Sequence, residues 1–187
     1  MQTWLVETVR YFRGLDFFAA ERLLSDEQLV RKVEAAHRAN WDEPLDPAAG
    51  AQLADMYVVA TDPTRIWWRD IECVYQGANA YVEILGEWAA ISRGAFFPTH
   101  VSETWRSPRG PVEVEFSVGA VRHRFIHQDG HDDFVDMRIV RAINQAIGAT
   151  GYQFAVCDEG GMPNFVVALT RDEQARLERE RGWRFYL

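Results

Sequence analysis

Lysine is almost missing from this chain: Lys32 stands alone against nineteen arginines in 187 residues. Such a bias reflects a genome's codon composition and assigns no mechanism. Cysteine is scarce as well. Cys73 and Cys157 are too few for a disulfide framework at this length, so two reduced thiols in a cytoplasmic protein are expected. No apolar run approaches the ~20 residues of a bilayer-spanning helix. The start, "MQTWLVETVRYFRG", has no basic head before an apolar stretch, so a signal peptide and a membrane role are not expected. Basic charge is in deficit, with a formal net charge of −8. Phosphate binding needs a concentrated basic patch, so nucleic acid is not an expected partner. Familiar catalytic motifs are absent too. "DEGGMPN" leads into a strand and not into a helix N-terminus, so it is no phosphate loop, and no serine sits in a nucleophile elbow.

What is present is globular: 48% hydrophobic and 26% charged residues, with seven Trp, six Tyr and eleven Phe. So many aromatics supply core anchors and leave some for an interface. The first sixty residues read as helices. Trp4, Leu5, Thr8, Val9 and Phe12 recur at helical spacing before Gly14. Asp16 is placed to cap a short second segment with Ala19, Ala20, Leu23 and Leu24 as its stripe. "SDEQ" from Ser25 matches a capping box ahead of Leu29, Val33 and Ala36. Asp46-Pro47 supplies a cap and a first-turn proline for a helix carrying Leu53, Met56, Tyr57 and Ala60. "RIWWRDIECVYQG" fits a helix or a strand, whereas "ANAYVEILGEWAAISRG" is a helix that Gly94 stops.

From Val101 the pattern turns to strands. "VEVEFSV" alternates, Gly119 turns the chain, and "AVRHRFIH" completes a hairpin. "DMRIVRAINQAIG" is a helix with Asp136 as its cap, Ile139, Ile143 and Ile147 as its stripe and Gly148 as its stop. "YQFAVCD" and "NFVVALT" are strands, and "TRDE" from Thr170 is a second capping box. The helix that follows reads mostly as a solvated face, with Leu177 meeting Trp183 beyond Gly182. The expected fold is a single α+β domain over 1–187. A mainly helical part, 1–95, packs on an antiparallel sheet, and 96–187 has a ββαββα arrangement.

Chemistry concentrates in "HRFIHQDGHDDFVD", His123 to Asp136, with three histidines and four aspartates. His127, His131 and Asp133 offer the nitrogen and oxygen ligands that zinc or iron accepts, and Asp132 or Glu159 could serve a metal-dependent hydrolase as base. The spacing matches no defined metal motif, and turn formers with capping aspartates explain the same residues, so no cofactor is expected. Cys157, followed by Asp158 and Glu159, has carboxylates beside it that would raise its pKa, so it reads as a buried structural thiol. Glu113 and Glu115 fall on the polar face of the hairpin. Trp67-Trp68 and Phe96-Phe97 are apolar doublets, of which one member could face outward as a partner anchor while both could equally be buried.

The order hairpin, "HDDFVDMRIVRAINQAIG", "GYQFAVCD", "FVVALTRDEQARLERERGWRF", over roughly residues 65–187, resembles bacterial polymorphic-toxin immunity proteins. That resemblance implies a cytoplasmic, non-catalytic protein that blocks a toxin domain by direct contact. An acidic binder suits a basic toxin domain, with Asp129, Asp132, Asp133, Asp158, Glu159 and Trp68 as candidate partner-binding residues. The metal-dependent hydrolase is the alternative, and a structural subunit assembling through the aromatic doublets is a third reading.

Overall fold

The computed structural model describes residues 3–69, 71–128, 134–157 and 164–186. Its first helix, α1 (Thr3–Arg13), buries Leu5, Thr8, Val9 and Phe12, and the chain turns away at Gly14. The capping box forms at the start of α2 (Asp26–Trp41): Ser25 Oγ accepts from Gln28 N–H at 3.2 Å, and Gln28 Oε1 accepts from Ser25 N–H at 2.8 Å. Between them the expected Asp16-capped segment is only a single 3-10 turn, Ala19–Glu21. Phe18 enters it in the left-handed region, with its N–H bonded to Asp62 Oδ2 at 2.6 Å, while Asp16 pairs with Arg93 instead. One turn is too short to carry a buried stripe, and Leu23 stands 95% exposed. Asp46 caps another such turn, Pro47–Ala49, before α3 (Ala51–Val59).

Of the ambiguous tryptophan segment, Ile66–Arg69 is a strand, β1, while the described residues from 71 to 77 form an isolated bridge and a turn; the reason for the strand lies in its partners. It pairs antiparallel with β6 (Asn164–Thr170), which pairs with β5 (Tyr152–Cys157), which pairs with the short β7 (Phe185–Tyr186). This sheet is covered on both faces, so its strands read as continuous apolar runs. Alternation divides their side chains between two cores. Ile66, Ala155, Cys157, Phe165, Val167 and Leu169 join α1, α2 and α3 on one side. Trp67, Phe154, Val156, Val166 and Ala168 join α4 (Ala80–Ile91) and α5 (Ile139–Ile147) on the other. Both members of the Trp67-Trp68 doublet are therefore packed, one on each face.

The second core is closed by a separate antiparallel sheet of β2 (Pro98–Trp105), β3 (Val112–Val118) and β4 (Val121–His127). Val112, Val114 and Phe116 point inward as the alternation predicts. Glu113 and Glu115 point outward and pair with Arg124 and Arg122 on the neighbouring strand, an ordinary sheet-surface arrangement. From β2, Glu103 Oε2 accepts the Tyr81 N–H at 2.9 Å, which supplies the cap that Asn79 does not give α4. The expected ββαββα order is present as β3, β4, α5, β5, β6 and α6 (Arg171–Arg176), with β2 and β7 added at its ends. It is split between two sheets.

Two local expectations change. Gly148 keeps helical torsions, and the stop after α5 falls at Gly151, whose φ is +81°. The chain after α6 continues in a wider turn, Leu177–Arg181, which is not wholly a solvated face. Leu177 and Trp183 are both buried, and Arg181 reaches inward to Asp55 on α3. The capping box at Thr170 and Glu173 is formed in both directions.

Candidate partner-binding surface

His127 is the last residue of β4, 3% exposed, on the inner face that it shares with His123 and Phe125. Its Nδ1 lies 3.0 Å from the Tyr81 hydroxyl of α4, which also accepts the Asp136 N–H at 2.9 Å. His123 instead stacks on Phe116, with ring centroids 5.3 Å apart. Asp136 opens the turn into α5: its Oδ1 accepts the Arg138 N–H at 3.0 Å, and its carboxylate is gripped by the Arg138 guanidinium. Burial pushes the Asp136 carboxyl up, but the bonds from Arg138 outweigh it and hold the group below the usual aspartate value. Asp129, His131, Asp132, Asp133, Asp158 and Glu159 lie outside the described residues. Among the described residues no three of His, Cys, Asp and Glu come together as a metal site. Cys157 is buried and Cys73 is half-exposed.

The described neighbours of the two acidic stretches converge. Phe134, which follows the first, forms an antiparallel bridge with Glu72, and Val135 N–H donates to Ile71 O at 3.0 Å. Asn164, which follows the second, pairs with Arg69. Arg69 and Glu72 are three positions apart, so both stretches rejoin the fold at one end of the molecule. Two large aromatics are exposed there, Tyr75 at 61% and Phe134 at 43%. Beside Tyr75, Arg69, Cys73, Ala78 and Glu83 line a small cavity of about 190 Å³. Glu87 holds this edge by accepting from Trp67 Nε1 at 2.6 Å and from Arg69 at 2.7 Å.

Trp68 has a different environment. It is half-buried on the opposite face of β1, 4.5 Å from Trp41 between ring centroids, and its Nε1 donates to Ala60 O at 3.2 Å. Trp41 in turn stacks on the buried His37 at 4.6 Å. Sequence reasoning did not single out Tyr75 or Phe134. The available signal was weak: each is a large aromatic in a segment too irregular to bury it by periodicity. Of the second doublet, Phe96 is fully buried and Phe97 is exposed. Among the described residues no helix is long and apolar enough to cross a membrane. Comparisons of the chain with protein-family models, with curated proteins and with solved structures return no match.

Proposed function

We propose that this chain is a non-catalytic, cytoplasmic binding protein of the immunity type, which blocks a basic toxin domain by direct contact. The observation that carries the reading is the convergence just described. The exposed rings of Tyr75 and Phe134 sit where the stretches containing Asp129, Asp132, Asp133, Asp158 and Glu159 rejoin the fold. Aromatic anchors give an interface its energy, while a cluster of like charge steers an oppositely charged partner and raises the association rate. The net charge of −8 adds to that field. Trp68, packed against Trp41, supports β1 from behind, and Tyr75 and Phe134 are the anchors.

The test is co-expression with the protein encoded beside it, scoring both survival of the host and recovery of a complex. Protection that is lost in the Tyr75→Ala, Phe134→Ala double variant, with melting unchanged, supports the reading. A complex whose association rate falls steeply with salt supports the electrostatic part. The absence of both protection and a complex with any neighbouring gene product sinks it.

A further inference from the structure

A groove of about 780 Å³ lies on another part of the surface, where α5 ends and α6 begins, lined by Arg141, Gln145, Gly148, Gly151, Tyr152 and Arg171. Its volume is that of a pocket for a small molecule or a few residues of peptide. Arg141 and Gln145 on α5 and Gly148 in the turn that follows it succeed one another at helical spacing, and the open side of Gly148 and Gly151 leaves space where a Cβ would meet nothing. Among the described residues the guanidinium groups of Arg141 and Arg171 have no hydrogen-bond or ion-pair partner. Both are exposed, in a chain with an overall excess of acid.

Behind the groove one buried guanidinium, that of Arg65, is short of acceptors. Arg93 lies over the Tyr152 ring, 5.0 Å from its centroid, and donates to Glu173 Oε1 at 2.7 Å. The buried Arg65 must share that oxygen at 3.8 Å, and its Nε and Nη2 have no hydrogen-bond acceptor. Asp172 on the rim supplies one opposing charge. Helix dipoles do not decide the sign, because α5 finishes here and α6 starts here, so their ends offset. The arginines decide it.

We propose that this groove binds a ligand carrying two carboxylates, one for each of Arg141 and Arg171. A guanidinium takes a carboxylate through two parallel N–H bonds, which a lysine could not do. The two acid groups come either from a small polycarboxylate or from two acidic side chains of a peptide. This inference does not rest on the immunity reading, which uses a different surface.

The experiment titrates the full chain with citrate and, separately, with a hexaglutamate peptide, following the amide signals of Gly148 and Gly151 by NMR. The expected result is a saturable shift with at least one probe, weakened roughly tenfold or more in Arg141→Gln, Arg171→Gln and unchanged in Arg31→Gln, an exposed arginine on α2. Gly148→Leu, which fills the groove without altering charge, is expected to abolish the shift while the protein stays folded. Response to citrate alone identifies a small ligand, and response to the peptide alone identifies a partner segment. No saturable shift with either probe overturns the proposal. So does a shift that survives in the double variant, or one that falls equally in Arg31→Gln.

Discussion

Replacing Asp55 by alanine removes a carboxylate that is 1% exposed and takes three hydrogen bonds from residues far along the chain. Arg181 grips it through Nε at 2.7 Å and through Nη2, while Trp183 Nε1 donates to it at 3.1 Å. Arg181 Nη2 also donates to Thr8 Oγ1 at 3.0 Å, so one ion pair ties α1, α3 and the end of the chain together. Cutting one partner from a buried pair costs about 3–5 kcal/mol, because the other charge is left unpaired. The Arg181 side chain is 25% exposed, so water reaches part of it and the lower half of that range applies, about 3–4 kcal/mol. At this chain length such a loss lowers the melting temperature by roughly 6–16 °C. Urea unfolding followed by tryptophan fluorescence measures it, with Trp183 as a local reporter. Pairing Asp55→Leu with Arg181→Met removes both charges and is expected to recover most of the loss. A loss below about 1 kcal/mol for Asp55→Ala refutes the reasoning.

Asn144 is expected to matter more than an average helix-surface residue, since its Nδ2 donates to Phe154 O at 2.8 Å and its Oδ1 accepts the Phe154 N–H at 2.7 Å. Asn144→Leu leaves both groups unpaired beside β5, costs about 1–3 kcal/mol, and speeds hydrogen exchange at the Phe154 amide; unchanged exchange there contradicts the assignment. His37 is buried with Nδ1 unbonded, and burial lowers its pKa, so the folded state favours the neutral ring. Its contribution is complete above the unfolded value of about 6.5 and is lost as pH falls through the lower folded value. Melting temperature is therefore expected to fall more steeply on mild acidification in the native chain than in His37→Phe; equal slopes refute this. Under the binding reading, chelator leaves melting unchanged. About one zinc or iron per chain, lost in His131→Ala, replaces that reading with the hydrolase built on His127, His131 and Asp133.

Local chemistry was legible before the structure. The capping boxes at Ser25 and Thr170, the hairpin around Gly119 and the stripe of Ile139, Ile143 and Ile147 each depend on residues a few positions apart. The tryptophan segment resisted because a strand buried on both faces has no alternation to read, and its partner β6 lies about a hundred residues downstream. Asp16 failed as a cap because Asp62, far away in sequence, took the Phe18 amide that organises that turn. The same limit applies to the surface. Tyr81 as the partner of His127, and Tyr75 beside the acidic end, are products of packing between α4, β4 and the approach to α5, which no window of neighbouring residues contains.

The placement of Trp183 bears on how this chain is made. Its indole lies within the first core, 5.8 Å from the Phe12 ring between centroids, so two residues that complete that core lie far apart along the chain. A ribosome that has produced α1, α2 and α3 has produced an apolar layer with no sheet to cover it, because β5, β6 and β7 are still unmade. The helical layer must wait, exposed, until residue 183 emerges. Completion of this half therefore waits for residue 183, and a chain stalled short of it presents chaperones with a helical surface that the finished fold hides.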